Sequence, residues 1–376
     1  MSLQWGKIYV TREELSLANV LQAGQAFRWI LDENSGEYLT TMKIANNLNY
    51  SVVLLRQTDD KFIECSTYDK VCDLKDLVSH FESYFRTDVK VEEMHANEWL
   101  PRDPKFQNIE THGIRILGQE PWETLVSFIC STNNNISRIT KMCHALCLNY
   151  GKKIGSFNST EFYSFPSSDE IMNKATEAEL RSLGFGYRAK YIIETAKRLV
   201  QNKKENDILS DTEFLMMMSK SNDYNELREH LMSYSGIGPK VADCICLMGM
   251  RKDHVVPVDV HVERIAQRDY RIKATNKEIV QLRELYKTLP ITRKKVNFQL
   301  DYIRTSLNEK WGPYAGWAQG ILFFREVGGT TGANTEGKIK KRKNDNINVV
   351  AEDTKQEQMD DIPSSKKSRI KSEQLI

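Results

Sequence analysis

The sequence predicts an α+β fold in which a small N-terminal antiparallel sheet joins a larger helical body. Two observations support this fold class. Segments rich in β-branched and aromatic residues alternate with turn clusters up to about residue 67, and from about residue 74 the apolar residues recur with helical spacing. We expect a twisted antiparallel β-sheet domain over residues 1–115, a two-lobed helical body over 116–330 and a disordered tail over 331–376.

The predicted strands come first along the chain. They are the segments GQAFRW (24–29), GEYLTTMKI (36–44), YSVVLLRQ (50–57) and KFIECST (61–67). Their mixed alternation of apolar and polar residues predicts a sheet with one buried face.

The helical body is predicted from apolar periodicity and from capping boxes. Three helix starts carry a capping residue followed by Glu three positions later, at Thr176–Glu179, Asp223–Glu226 and Thr275–Glu278. The breaks between the predicted helices contain Asn or Gly, as in Asn133–Asn135 and Gly184–Gly186. The predicted helices are 123–131, 136–149, 176–183, 187–202, 223–234, 239–250, 260–268, 276–289, 297–309 and 314–326.

The chain beyond Gly332 is polar, rich in charge and almost free of aromatic residues. It contains two basic clusters, KIKKRK (338–343) and KKSRIK (366–371). Such clusters suit a nuclear import signal or a nonspecific phosphate contact, and the alternative is a solvated tail with no role. We therefore expect a nuclear protein, with mitochondria as a further location.

Composition bounds the class of protein. Hydrophobic residues make up 40% of the chain, but no apolar run is long enough to cross a membrane, and MSLQWGKIYV lacks the apolar core of a signal peptide, so we expect no membrane association. The net charge of +2 comes from residues 330–376, which leaves the rest of the chain neutral overall. Nucleic-acid binding would therefore need a local positive patch. Seven cysteines without a CxxC pair favour reduced thiols and no metal.

The stretch YSGIGPKVADCICLMGM (234–250) predicts a helix-hairpin-helix motif over residues 223–250. Gly236 and Gly238 permit a tight turn and close backbone approach, and Pro239 suits a first helical position. Exposed amides at such a helix start bind anions, so a DNA phosphate is the expected ligand. An ordinary helical hairpin is the alternative.

Lys240 stands at the start of the second helix of this hairpin. The helix dipole and apolar surroundings both disfavour its charge, so we expect a neutral, nucleophilic amine; a surface lysine that contacts phosphate is the alternative. Asp259 follows an apolar run and could stabilise a cationic sugar beside that amine, or simply cap the next helix. An amine and a carboxylate beside a phosphate-binding hairpin suit cleavage of a glycosidic bond in DNA.

SGIGPKVADCICLMG and VPVDVHVERIAQRDY together closely resemble the eukaryotic 8-oxoguanine DNA glycosylase/lyase family of the helix-hairpin-helix superfamily. The resemblance extends to AGQAFRW, QEPWETLVSFICSTNNNISRIT, LGFGYRAKYI and WGPYAGWAQGILF, which spread over most of residues 1–330. It implies a base-excision-repair enzyme without a cofactor, acting on duplex DNA that contains oxidised guanine, and we expect a monomer. Some superfamily members carry a four-cysteine iron–sulfur cluster after the hairpin, but no cysteine follows Cys246 here.

The resemblance also implies roles at the damaged base. Lys240 would attack C1′ of the sugar, expel the base and leave an imine, after which β-elimination nicks the strand. Asp259 would stabilise charge at the sugar. The carbonyl of Gly24 would accept a hydrogen bond from the N7–H that 8-oxoguanine has and guanine lacks.

The other contacts that the resemblance implies are Gln319 at the Watson–Crick edge, Phe323 stacked on the base, Cys244 on the face of Lys240, and His261 near a phosphate. Core packing is the alternative for Phe323 and Cys244, and a plain structural role is the alternative for His261.

A further set of residues is implied for the opposite strand. Asn133 would enter the gap left by the flipped base, Arg138 and Arg188 would hydrogen-bond the orphaned cytosine, and Tyr187 would act as a wedge. Two other hypotheses stay open. The first is a glycosylase for another lesion such as an alkylated purine, and the second is a noncatalytic module that binds DNA through the hairpin.

Overall fold

The N-terminal strands pair into one antiparallel sheet with the order β1-β5-β4-β3-β2. The structure is a computed structural model that describes residues 3–44, 49–68, 72–287 and 296–327. The strands are β1 Gly6–Tyr9, β2 Ile30–Asp32, β3 Glu37–Lys43, β4 Tyr50–Arg56 and β5 Phe62–Thr67. The expected sheet is confirmed, but the predicted first strand at 24–29 is wrong. That segment is a loop in which Gly24 has a φ of +82°, a left-handed conformation that ends extended structure.

Both faces of the sheet are buried at its centre, so the prediction of a single buried face is wrong. Residues 51–55 of β4 are all buried, whichever face they occupy. Phe81 and Phe85 from the following helix belong to the core on one side. On the other side, Phe162 packs with Leu39, Val52 and Leu54. Phe162 belongs to a hairpin of β6 Lys153–Phe157 and β7 Thr160–Tyr163, which the helical body contributes.

The helices occupy most of the remaining described chain. In chain order they are α1 Leu17–Val20, α2 Leu74–Phe85, α3 Val91–Met94, α4 Leu100–Arg102, α5 Pro121–Ser131, α6 Ile136–Tyr150, α7 Ser168–Lys174, α8 Glu177–Ser182, α9 Arg188–Glu205, α10 Asp211–Ser221, α11 Tyr224–Met232, α12 Pro239–Cys244, α13 Val260–Tyr270, α14 Asn276–Leu285, α15 Phe298–Trp311 and α16 Ala315–Glu326. Short π-helical segments His95–Trp99 and Ile245–Gly249 and 3-10 turns Pro104–Asn108 and Gly312–Tyr314 complete them.

Local capping sets the starts of several helices. The three predicted capping boxes are confirmed, with reciprocal side-chain and backbone bonds at the starts of α8, α11 and α14. Ser167 and Glu170 form a further capping box at α7, a helix that the sequence analysis does not predict. Each box satisfies backbone N–H groups that the first helical turn leaves without a partner.

Two hydrophobic clusters divide the helical body, which confirms its two lobes. The first cluster is built around α5, α6, α9 and α12, and the second around α13, α15 and α16. The sheet and α2 form a third cluster. The boundary predicted at residues 115 and 116 stays a prediction, and the predicted tail over 331–376, with both basic clusters, lies outside the described residues.

A buried ionic network ties the hairpin helices to α15. Arg228 of α11 pairs at 2.9 Å with both Asp243 of α12 and Asp301 of α15. Arg304 also pairs with Asp301, and the hydroxyl of Tyr224 donates to Asp243. Two cations and two carboxylates balance each other in a site without water access, which fixes the orientation of α12.

Neither a membrane-spanning helix nor a cluster of metal-binding side chains is present among the described residues. No helix there has the length and apolar character needed to cross a membrane. The same residues contain no group of three or more His, Cys, Asp or Glu side chains placed to hold a metal ion. None of the seven cysteines forms a disulfide bond.

Candidate active site

The predicted helix-hairpin-helix is formed by α11 and α12. Gly236 in the turn has a φ of +79°, and a Cβ placed there would lie 2.7 Å from the Tyr191 side chain. This position therefore needs glycine both for its left-handed backbone and for its lack of a side chain. Gly238 does not need glycine for either reason. It is the N-cap of α12, its backbone is extended, and a Cβ placed there would have open space around it. The turn is fixed to α9 by a hydrogen bond from Thr195 Oγ1 to the Ser235 carbonyl.

A pocket of about 590 Å³, including its open mouth, lies where the two lobes meet the loop before β2. Phe128 and Cys244 of the first lobe form one wall, and Ile114 and Ile116 contribute to the other. The structure brings together in this pocket the predicted residues Lys240, Asp259, Cys244, Gly24, Gln319 and Phe323. These residues come from segments far apart in sequence, so their assembly is a property of the fold.

Lys240 lies in the second position of α12, with its Nζ 5.2 Å from the centre of the Phe128 ring. Burial lowers the pKa of this amine, but the Cys244 sulfur and the Asp259 carboxylate raise it by more, and the net pKa lies above that of an ordinary lysine. The direction of this shift runs against the expected neutral amine, whose protonation state stays a prediction. The sequence shows neither the nearness of Cys244 nor that of Asp259, the two groups that oppose the effect of burial.

Asp259 is the N-cap of α13. Its Oδ1 accepts hydrogen bonds from the backbone N–H groups of His261 at 2.9 Å and Val262 at 3.0 Å. Capping is thus confirmed, while Oδ2 takes part in neither bond and the side chain lines the pocket. The Asp259 carboxylate therefore caps α13 and also places negative charge near the Lys240 amine.

Three predicted residues form the part of the pocket that would receive a base. Gly24 lies in the loop before β2, and Gln319 and Phe323 lie one turn apart on α16. Gln319 is buried, and the Phe323 ring meets the His261 ring edge-on at 5.7 Å. Nδ1 of His261 is buried without a hydrogen-bond partner among the described residues. Phe323 is thus partly packed against the second lobe and also lines the pocket.

Cys244 is buried one turn after Lys240 and shares its pocket. Burial raises the pKa of this thiol to about 11, and the Lys240 ammonium offsets part of that effect. The position of this thiol agrees with the predicted one, and its role in contact with a base stays a prediction.

The residues predicted for the opposite strand gather at a second place, around the loop between α5 and α6. Asn133 is exposed there with a left-handed φ of +48°. Arg188 is buried and donates to the carbonyls of Thr132 and Asn133, and the Tyr187 hydroxyl donates to Thr132 O. Arg138 of α6 donates to the carbonyl of Gly184.

Sequence reasoning missed several residues of the site. Phe128, beneath Lys240, lies inside an apolar helix where nothing separates a pocket residue from a core residue. Gln25 was also missed, although it holds the loop before β2 by bonds to Arg115 O and Leu117 N. Arg28 ties the same loop to α5 through a bidentate pair with Glu123. A polar residue among apolar neighbours in AGQAFRW is the signal that could have indicated these two anchors. The remaining missed residues of the pocket are Ala23, Ile114, Ile116, Met248, Pro257, Gly320 and Phe324.

Comparison with known proteins agrees with this arrangement. Residues 7–125 match the family model described as 8-oxoguanine DNA glycosylase, N-terminal domain, and residues 126–290 match that of the HhH-GPD superfamily base excision DNA repair protein. The chain is 56% identical to an N-glycosylase/DNA lyase of Saccharomyces cerevisiae over 92% of its own length and 93% of that protein. It is 32% identical to an N-glycosylase/DNA lyase of Arabidopsis thaliana, over 86% and 80% of the two chains.

A solved structure shows the same fold. The 8-oxoguanine glycosylase/lyase of Clostridium acetobutylicum, crystallised with double-stranded DNA containing cytosine opposite 8-oxoguanine, superposes with a TM-score of 0.63 at 28% identity. The alignment covers 87% of this chain and 98% of that one. The fold and the site thus define an enzyme of base excision repair in the HhH-GPD superfamily. Within it, the chain belongs to the N-glycosylase/DNA lyase family.

Proposed function

We propose that this enzyme removes 8-oxoguanine opposite cytosine from duplex DNA, with Lys240 as the nucleophile, and then cleaves the strand. The observation that carries the proposal is the shared pocket of Lys240, Asp259, Gly24, Gln319 and Phe323. The pocket combines an amine, a carboxylate and an aromatic ring, while the bulk of its lining is apolar. A flipped base needs such a site because it must exchange stacking and pairing in the duplex for equivalent contacts in the protein.

Choice of the oxidised base is assigned to Gly24. Its carbonyl can accept a hydrogen bond from N7–H of 8-oxoguanine, whereas the N7 lone pair of guanine would face the same oxygen. A buried polar group left without its bond costs about 1–3 kcal/mol, which favours the lesion by roughly one to two powers of ten. Gln319 is buried in the same pocket and supplies an amide for the Watson–Crick edge. Phe323 supplies a ring for stacking.

The chemistry begins with loss of a proton from Lys240, because the raised pKa keeps the amine charged near neutral pH. The nitrogen then forms a bond to C1′ while the bond between C1′ and the base breaks, and the base leaves with the electron pair and is protonated. Opening of the sugar ring gives an imine. Removal of a proton from C2′ then expels the 3′ phosphate. Asp259 would stabilise the positive charge that develops at the sugar.

The opposite strand is assigned to the loop between α5 and α6. Asn133 is exposed at its tip, and Tyr187 is an aromatic side chain that is 42% exposed beside it. Arg188 already donates to backbone carbonyls of this loop, so contact with cytosine would add to those bonds or replace them. Arg138 supplies a second guanidinium nearby. The hairpin amides around Gly236 and Gly238 and the ring of His261 would contact phosphates.

Reductive trapping tests the proposal directly. Borohydride converts an imine between enzyme and DNA into a stable covalent adduct, so we expect the protein to cross-link to a duplex with 8-oxoguanine opposite cytosine. The Lys240→Gln variant should not cross-link, whereas Lys220→Gln, which alters an exposed lysine of α10 outside the pocket, should match the natural protein.

Other outcomes separate the alternative functions. Excision of an alkylated purine in preference to 8-oxoguanine would favour a glycosylase for another lesion. Binding to duplex DNA without excision or trapping would favour a noncatalytic module. Trapping that persists in Lys240→Gln would overturn the assignment of the nucleophile.

We also propose that the enzyme acts as a monomer in the nucleus, with a share in mitochondria. The support for nuclear import is the pair of basic clusters at 338–343 and 366–371. A fluorescent fusion should accumulate in nuclei and become diffuse when both clusters are changed to alanine. Light scattering of the purified protein tests the monomer.

A further inference from the structure

Ile136 is an apolar side chain at the surface that lies beside Gly24, a residue of the pocket. It is the first residue of α6 and is 44% exposed, between the exposed polar residues Asn135 and Ser137. A Cβ placed on Gly24 would lie 3.1 Å from Ile136 Cδ1 and 3.5 Å from Cγ1, and apart from the adjoining residues Ala23 and Gln25 no other described residue comes within 4 Å of it.

The loop of Gly24 is fixed on its other side. Gln25 accepts from Leu117 N at 3.1 Å, and its carbonyl accepts from the Gln119 amide at 2.6 Å. Gly24 itself has no side chain and a left-handed backbone, so its own peptide can rotate more freely than that of its neighbour. Ile136 occupies the space on the side of Gly24 where a Cβ would point.

Ile136 is also joined to the loop at the opposite-strand site. Arg188 donates to the carbonyls of Thr132 and Asn133, two positions that lie only a few residues before Ile136. Between them, Asn135 caps α6 by accepting from Arg138 N at 2.9 Å. A short, hydrogen-bonded segment thus connects the place assigned to the orphaned cytosine with the residue that touches Gly24.

We propose that Ile136 is a positioning residue that couples recognition of the opposite base to the reading of the damaged base. The inference rests on the proposed function, in which Asn133 and Arg188 meet cytosine and Gly24 meets the lesion. When cytosine occupies its site, the loop holds Ile136 against Gly24 and the carbonyl is aligned with N7–H. When another base stands there, the loop shifts, Ile136 moves away and Gly24 loses its restraint. The enzyme then excises the lesion more slowly.

Single-turnover excision of 8-oxoguanine opposite cytosine and opposite adenine tests the coupling. Ile136→Val removes only the Cδ1 methyl that lies closest to Gly24, and Ile136→Leu keeps carbon atoms at that depth. We expect the ratio of the two rates to fall at least about fivefold in Ile136→Val, chiefly through a slower reaction opposite cytosine. Ile136→Leu should keep most of the ratio. Leu148→Ala changes another exposed apolar residue of the same helix and should match the natural protein.

An unchanged ratio in Ile136→Val, or an equal fall in both rates, would overturn the proposal. An equal fall would show that Ile136 merely supports the structure. Thermal unfolding of each variant checks that the fold is kept, and Val at this exposed position fits the same helix. Failure of the proposed function looks different, because the natural protein itself would then not excise 8-oxoguanine.

Discussion

At the scale of single residues, Asp259 has two roles, one structural and one electrostatic. Its Oδ1 caps α13 through two backbone N–H groups, and its charge contributes to the raised pKa of Lys240. The two effects depend on different properties, since asparagine caps a helix about as well as aspartate but carries no charge. Substitution can therefore separate them.

Asp259→Asn should keep the stability of the protein and lose activity, whereas Asp259→Ala should lose both. We expect the free energy of unfolding to fall by about 0.5–2 kcal/mol in the alanine variant, because the cap is lost. The excision rate should fall roughly 100-fold in both variants, because charge at the sugar is no longer stabilised. Urea unfolding and single-turnover excision measure the two quantities. A natural excision rate in Asp259→Asn would contradict a role for the charge.

The pH dependence of excision should report the charge on Lys240. Only the free amine attacks the sugar, and the pKa of the ammonium is raised, so kcat/KM should increase with pH through the neutral range. Removing the Asp259 charge takes away an interaction that favours the ammonium, which lowers the pKa of Lys240. The profile of Asp259→Asn should then be displaced to lower pH. A profile displaced to higher pH, or not displaced, would show that Asp259 does not control this amine.

At the scale of helices and strands, sequence patterns predicted best what depends on neighbours in the chain. The capping boxes of α8, α11 and α14 are local, and their helices were predicted close to the observed bounds. Strand β1 was missed, because its pairing with β5 joins residues far apart in sequence. The hairpin β6–β7 was missed as well, because it is stabilised by packing on the face of a sheet whose strands lie far away in sequence.

In the candidate site, too, residues that belong to a local motif were predicted well, and properties that depend on contacts between distant segments were not. The hairpin motif and the family resemblance placed Lys240, Cys244, Asp259 and Gly24 in one pocket, as the structure has them. Phe128 was missed, because an apolar residue in an apolar helix carries no mark of a pocket. The sequence shows that Lys240 stands at a helix start, but it does not show that Asp259 and Cys244 lie near the amine and shift its pKa upward.

The buried network behind α12 predicts a large effect of Asp243. Asp243→Ala leaves Arg228 with one of its two carboxylate partners and Tyr224 without its acceptor. We expect the free energy of unfolding to fall by about 3–5 kcal/mol, because a buried charge loses its compensation. Asp269→Ala breaks an ion pair whose arginine, Arg268, is half exposed, and should cost about 1 kcal/mol or less. Equal losses in the two variants, measured by urea unfolding, would show that the network does not fix α12.

At the scale of the whole molecule, the pocket depends on three hydrophobic clusters at once. One wall belongs to the lobe of α5 and α12, another to the lobe of α13 and α16, and the loop of Gly24 leaves the sheet domain to close the site. The amine lies on α12 in the first lobe, whereas Gln319 and Phe323, which are assigned to the base, lie on α16 in the second. Loss of any one cluster therefore removes the site as a whole.

A chain ending at Val327 should keep excision and trapping. Residues 1–327 form one compact unit that includes every residue of the pocket. We expect unchanged excision rates and an unchanged midpoint of thermal unfolding, with loss of nuclear accumulation because both basic clusters are removed. A large drop in excision would mean that the tail takes part in catalysis or in binding DNA.

The hairpin β6–β7 also sets an order of events during synthesis. One face of the sheet is covered by Phe162, which the ribosome adds about 100 residues after the last strand of that sheet. Until then, Leu39, Val52 and Leu54 lack the side chain that covers them in the finished fold. We therefore expect this face of the sheet to be completed only after the hairpin has been synthesised.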